Sequence, residues 1–217
     1  MEQYIQEFLV IALVHLLAVA SPGPDFAIIL KQSIQHGRKT ALYTSAGIGC
    51  GILVHVIYSL VGIGLIIATT PSLLSGLKYI AAAYFLYIAW HGLRAKAPAT
   101  NTQQSNEVER FAVDRKTPSN KKAFTTGFLI NALNVKATLF FVSLFSMVIS
   151  IDTPTSIKAA YGLYMAIATG LWFSGLSLVL SHHKIRNKIM SKGYWLDRIM
   201  GLVLLILAIE LVVSDIG

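Results

Sequence analysis

The first stretch that could do chemistry is Ser21-Pro22-Gly23-Pro24-Asp25, which interrupts an otherwise apolar segment. Pro22 and Pro24 have no backbone N–H, so two helical hydrogen bonds are lost, and Gly23 weakens the same turn. These residues predict a broken helix, in which Pro24 opens a second helix and the Asp25 carboxylate lies beside its positive N-terminal end. Free carbonyl and N–H groups at such a break can bind a zwitterion or a coupling ion. The competing interpretation is a structural kink, with Asp25 as a simple helix-end charge.

A second polar stretch, Asn131 to Lys136, interrupts an apolar segment that begins near Phe124. At ~1.5 Å per helical residue, Lys136 lies about 18 Å into this segment, too deep in a bilayer to reach the lipid headgroups. Such a lysine needs a partner, a cavity or the loss of its charge, and Asp25 is the best acidic partner by depth. We therefore group Asn131, Asn134 and Lys136 with the first stretch as candidate binding or coupling residues. The competing interpretation is a purely structural ion pair.

His55 lies near the middle of a third apolar segment, one turn after Gly51 in the glycine-rich stretch Gly47-Ile48-Gly49-Cys50-Gly51. Its imidazole can relay protons near neutral pH, and it can equally be a hydrogen-bonded packing residue. The i, i+4 spacing of Gly47 and Gly51 favours close packing against another helix. His55 is therefore a candidate coupling residue.

The sequence predicts neither an enzyme nor a bound cofactor. It contains no HExxH, GxSxG or P-loop motif. Cys50 is the single cysteine, and neither a cysteine nor a carboxylate is suitably spaced near His182 and His183. A metal site is therefore not expected.

Helices that cross a membrane must position these residues, because 55% of the 217 residues are hydrophobic and only 13% are charged. Apolar segments of the length that spans a bilayer predict an all-α integral membrane protein with six transmembrane helices. The approximate spans are 8–30, 41–68, 73–93, 124–149, 157–180 and 199–213. The lipid bilayer is therefore the predicted environment of most of the chain.

The distribution of basic residues predicts the orientation. Fifteen of the 18 lysine and arginine residues fall in three alternate connections, which places those connections in the cytoplasm and both termini outside it. In a soluble chain the net charge of +8 would suggest nucleic acid, but basic residues grouped between apolar segments argue against that partner.

A polar cytoplasmic linker, 94–122, separates the repeats 1–93 and 123–217, each with three spans. Units with an odd number of spans insert with opposite topology, as in inverted-repeat transporters.

Several of these stretches together resemble the LysE/RhtB superfamily of amino-acid exporters over nearly the whole chain. The stretches are Ser21 to Asp25, Gly37-Arg38-Lys39-Thr40-Ala41-Leu42, Val54-His55, Gly127-Phe128-Leu129, Asn131, and Asn134-Val135-Lys136. The resemblance implies a secondary transporter in the bacterial inner membrane, which exports amino acids or close derivatives by proton antiport, and it allows a homodimer. The family commonly has Asn-Pro-Lys where this chain has Val135 in the middle, so the sequence does not decide whether the fourth span breaks.

The residues carried over from the family's motifs are Pro22, Gly23, Pro24, Asp25, Asn134 and Lys136, and His55 matches more loosely. An ion or metal exporter and a non-transporting membrane assembly protein are the alternative functions. Metal sites usually gather several carboxylates or thiols, which the apolar segments lack. An assembly protein would not need a lysine at mid-membrane. One sequence does not identify which amino acid is exported.

Overall fold

The computed structural model describes residues 2–69, 72–96, 117–150, 152–180 and 183–214. Within these ranges the regular secondary structure is entirely α-helical. The helices are α1 (Glu2–Ala20), α2 (Pro24–Gln35), α3 (Gly37–Thr69), α4 (Ser72–Leu93), α5 (Asn120–Ala132), α6 (Val135–Val148), α7 (Thr155–Leu180) and α8 (His183–Ser214). An all-helical chain is what the sequence predicts.

The predicted break in the first span is present between α1 and α2. Ser21 still donates its backbone N–H to the carbonyl of Leu17 at 3.1 Å, and the chain then leaves the helix. Gly23 is extended and precedes Pro24 in the first turn of α2, where the missing N–H costs nothing. The first N–H groups of a helix have no intrahelical partner, and no side chain caps this N-terminus.

A second break, which Val135 left undecided, separates α5 from α6 with a bend of 56°. Its cause is Asn134, whose side-chain oxygen accepts hydrogen bonds from the backbone N–H groups of Lys136 at 3.0 Å and Ala137 at 3.3 Å. An asparagine N-cap is among the strongest signals for starting a helix. It therefore produces here the break that a proline would otherwise impose.

The long helix α3 packs against α5, α7 and α2, while α4 packs against α8 and α6. The contact with α5 is backbone to backbone: a Cβ added to Gly47 would lie 2.0 Å from the Phe124 carbonyl oxygen, and one added to Gly127 would lie 2.1 Å from that of Thr44. Only glycine permits such an approach. This packing brings the α5–α6 break against α3.

The surface is apolar where lipid would contact it. Leu9, Ile57 and Leu171 are each at least 60% exposed, whereas His15, His55 and Asn131 are at most 1% exposed. Polar groups inside and large aliphatic groups outside are the arrangement expected of helices in a bilayer.

Three described helices are apolar and long enough to cross a membrane, namely Glu2–Ala20, the Gly37–Gly62 part of α3, and Thr155–Leu180. The bent pair α5 and α6 makes a fourth if it counts as one span. Six spans and the two repeats therefore stay predictions.

Two helices begin earlier than the sequence predicts. Helix α8 begins at His183, well before the predicted span 199–213, and α5 begins inside the predicted linker 94–122. Most of that linker, 97–116, lies outside the described residues.

Candidate functional site

The two helix breaks meet at one narrow inner cavity of about 70 Å³. Six of the eight candidate residues line it, three from each break: Gly23, Pro24, Asp25, Asn131, Asn134 and Lys136. The other two are Pro22, which is exposed, and His55, which lies behind the cavity wall. Residues more than a hundred positions apart in the sequence thus form one cluster.

The Asp25 carboxylate is held at the N-terminus of α2 by the neighbouring break. Its Oδ2 accepts a hydrogen bond from Asn131 Nδ2 at 2.9 Å. Its Oδ1 is buried, and within the described part of the chain it has no hydrogen-bond partner. A buried carboxylate oxygen without a donor is costly to keep, so this atom can accept from a ligand.

His55 positions Asn131 and does not reach the cavity. Its Nε2 is 2.9 Å from the Asn131 carbonyl oxygen, which can only accept, so Nε2 carries the proton. In the neutral ring Nδ1 then accepts from the Tyr58 hydroxyl. The ring also stacks on Phe141, with centroids 5.5 Å apart. These contacts are those of a hydrogen-bonded packing residue, while its role as a proton relay stays a prediction.

Lys136 lies in the first turn of α6, and its exposed side chain lines both the inner cavity and a second, wider one. The hydroxyl of Tyr84 donates to the Lys136 carbonyl oxygen at 2.9 Å and ties α4 to the second break. Asp25 lines the inner cavity together with Lys136, and Asp197 lines the outer cavity together with it. The sequence singled out Asp25 as the acidic neighbour of Lys136, and the structure adds Asp197 on α8.

The wider, outer cavity has a volume of about 470 Å³ and lies between the C-terminal part of α4 and the N-terminal half of α8. Its polar lining residues are Ser21, Tyr84, Tyr87, His91, Lys136 and Asp197. Ser21 and Lys136 line both cavities, together with Ile88 and Met200, so the two spaces adjoin. A solute in the outer cavity would therefore be next to the inner one.

The candidate residues chosen from the sequence did not include Ser21, Asp197, Thr169 or His15. His15 and Thr169 line the inner cavity, and His15 Nε2 is 3.0 Å from Thr169 Oγ1. The spacing of His15, Ala18 and Val19 on one helix face that ends at the break was an available signal. Asp197 and Thr169 carried no comparable signal, because only the folded chain places their helices beside the breaks.

A donor set for a metal ion is not found among the residues that the structure describes. No group of three or more histidine, cysteine, aspartate or glutamate side chains lies close enough together there. The described residues that line the two cavities include one ammonium group, that of Lys136, and the carboxylates of Asp25 and Asp197.

Several known proteins are similar to this chain over most of its length. The threonine efflux protein of Escherichia coli (strain K12) is 27% identical over 207 residues, which cover 95% of this chain and 98% of that protein. The threonine efflux protein of Salmonella typhimurium is 26% identical over the same shares. The uncharacterized membrane protein YrhP of Bacillus subtilis (strain 168) is 25% identical over 194 residues, 87% of this chain and 90% of that protein. No solved structure shows a significant match. Because the family model matches residues 16–215, the chain belongs to the LysE type translocator family, a family of transporters rather than enzymes.

Proposed function

We propose that this protein is a secondary transporter that exports amino acids across the bacterial inner membrane, with threonine the first substrate to test. Membership of a translocator family and full-length similarity to threonine efflux proteins support it. The observation that carries it is that Asp25 and Lys136 line one cavity between two helix breaks. This cavity offers one acceptor and one cation, which together complement an amino-acid zwitterion.

In this proposal the substrate's ammonium group binds Asp25 Oδ1, which lacks a described hydrogen-bond partner, or the carbonyls of Ala18 and Ala20. Its carboxylate binds near Lys136 and the uncapped N-terminus of α2, where backbone N–H groups and the helix dipole favour negative charge. Asn131 holds Asp25 in place through its 2.9 Å hydrogen bond. The ligand thus supplies the partners that these groups otherwise lack.

Alternating access about the two breaks would move the substrate across the membrane. The order of helices supports two repeats, because each half has a broken pair followed by two long helices. Moreover, α3 packs on α7 and α4 packs on α8, which are the equivalent helices of the two halves. Six spans with 3+3 inverted topology would place the connecting loops rich in lysine and arginine in the cytoplasm.

The decisive experiment is efflux of a panel of labelled amino acids from proteoliposomes that contain the purified protein. We expect saturable efflux of at least one amino acid, lost in Asp25→Asn. Asp152→Asn is the matched control, since Asp152 is an exposed aspartate after α6, away from both cavities. Failure with every amino acid, together with efflux of a cation, would replace the proposal with an ion exporter.

Proton antiport is a separate part of the proposal and is tested separately. An imposed proton gradient should drive uphill efflux, and flux should change across about pH 5 to 8 through Asp25 or His55. If His55→Gln keeps the pH profile of the parent protein, His55 does not couple protons. For Asp25, whose asparagine variant is expected to lose efflux, the comparison is the pH dependence of substrate binding: if Asp25→Asn binds with the same pH profile as the parent protein, Asp25 does not couple protons. A homodimer also stays a prediction, testable by the mass of the purified particle.

A further inference from the structure

Asp197 is a carboxylate outside both helix breaks that nonetheless contacts the first one. Ser21, buried in the α1–α2 break, donates its hydroxyl hydrogen to Asp197 Oδ1 at 2.5 Å. The same aspartate lines the outer cavity, as does Lys136. A second carboxylate therefore faces the space through which a solute reaches Asp25.

The Asp197 side chain is not needed to hold α8 in place. A Cβ added to Gly92 of α4 would lie 2.4 Å from the Asp197 carbonyl oxygen, so the two backbones already touch there. One residue further along, Arg198 Nε donates to the Ala95 carbonyl oxygen at 3.0 Å. Backbone packing and Arg198 thus fix this turn of α8, which leaves the carboxylate available for a ligand.

The chemistry of the outer cavity suits the amino end of a zwitterion. A carboxylate has about four acceptor positions, and the Ser21 hydrogen bond occupies one of them, so others can accept from an ammonium group. Lys136 lines the outer cavity as well as the inner one. A substrate carboxylate can therefore stay near Lys136 while its ammonium group passes from Asp197 to Asp25.

We propose that Asp197 is a second ammonium-binding residue, which receives the amino acid in the outer cavity before it reaches Asp25. Ser21 is its positioning residue. This proposal rests on the proposed amino-acid export and names the residue that selects substrates with a free amino group. The outer cavity lies at the C-terminal part of α4 and the N-terminal half of α8, next to loops rich in lysine and arginine. In the predicted orientation this side is cytoplasmic, so Asp197 acts on the substrate before export.

The test measures initial rates of efflux for the exported amino acid, with its 2-hydroxy acid as a competing inhibitor of equal size that lacks the ammonium group. Asp197→Asn keeps an oxygen for Ser21 but loses the charge. Its KM should rise about tenfold or more, with Vmax within about twofold, because a hydrogen bond to a charged group is lost. The preference for the amino acid over the 2-hydroxy acid should fall by the same factor.

Three further variants make the result specific. Ser21→Ala should raise KM by a smaller factor, Asp197→Glu should retain most of the preference for the amino group, and Asp152→Asn should change neither quantity. If Asp197→Asn fails to accumulate, Asp197→Ala takes its place, because it also removes the charge: an unchanged preference in a well-folded Asp197→Ala would contradict the proposal.

Two results overturn the proposal while leaving export intact. One is an unchanged KM and unchanged preference in Asp197→Asn, and the other is a lower melting temperature in that variant with the same preference. If the parent protein exports no amino acid at all, the proposed function fails, and the role of Asp197 fails with it. The two failures are therefore distinguished by the parent protein alone.

Discussion

Replacing Gly51 with alanine tests whether Asn131 must keep its position beside Asp25. The new Cβ would lie 2.7 Å from Asn131 Oδ1 and 2.9 Å from Asn131 Cβ, whereas ordinary contact begins at 3.4 Å. The side chain must therefore shift by about 0.7 Å, although Asn131 is 1% exposed and already bonds Asp25 at 2.9 Å. We expect that hydrogen bond to be broken.

The size of the effect follows from two terms. Overpacking of a filled interior costs about 1–3 kcal/mol, which for a chain of this length lowers the melting temperature by roughly 2–12 °C. Loss of a hydrogen bond to a charged carboxylate costs about 1.5–3 kcal/mol. If the transport step loses this stabilisation, the efflux rate at low substrate concentration should fall by about 10- to 150-fold. Initial efflux rates from proteoliposomes and thermal unfolding in detergent measure the two terms separately.

The matched control is Gly175→Ala in α7, where a Cβ would meet nothing within 4 Å. This variant should keep the efflux rate of the parent protein. Its free energy of unfolding should rise by up to about 1 kcal/mol, because alanine is a better helix former than glycine. The double variant Gly51→Ala with Asn131→Gly should be no slower than Asn131→Gly alone, since the displaced side chain is gone. Normal efflux in Gly51→Ala would refute the positioning role of Asn131.

Further predictions concern both breaks and the connection after α6. Lys136→Ala should abolish efflux while Lys136→Arg retains part of it, and normal flux in the alanine variant would make Lys136 structural. Asn134→Ala should lower the unfolding free energy by about 1 kcal/mol through loss of the α6 cap, as thermal unfolding will show, and Asn134→Asp should restore it. Glu7→Ala should lower it by about 1–3 kcal/mol, because Glu7 accepts from Thr153 Oγ1 at 2.9 Å and from the Ser150 N–H at 3.2 Å. Glu7→Gln should lower the free energy of unfolding by less than Glu7→Ala does. Equal melting temperatures for the parent protein and these two variants would contradict the stabilising role of Glu7.

The first break could be predicted because prolines act locally. Pro22 and Pro24 remove hydrogen bonds whatever surrounds them, and the structure begins α2 at Pro24. The second break could not be decided, because Val135 is compatible with a helix. The deciding contact was the Asn134 cap, which is also local. An asparagine just before a helical stretch was the available signal.

The composition of the site depended on tertiary packing, which sequence spacing does not encode. Helix α8 begins at His183, so Asp197 lies within a helix and meets Ser21 across 176 positions. In the sequence it lies in a basic stretch beside Arg198, just before the predicted last span, and nothing there connects it with a proline break. From the sequence, the depth of Lys136 connected it with Asp25, whereas the contact of Asp25 with Asn131 was not predicted.

The most direct test of the central claim is an experimental structure of the protein with its exported amino acid bound. The account predicts the amino acid in the cavity between the two breaks, with its ammonium group within hydrogen-bonding distance of Asp25 and its carboxylate beside Lys136. If the amino acid at saturating concentration binds elsewhere, and Asp25 and Lys136 keep the positions that they have without it, the proposed site is wrong.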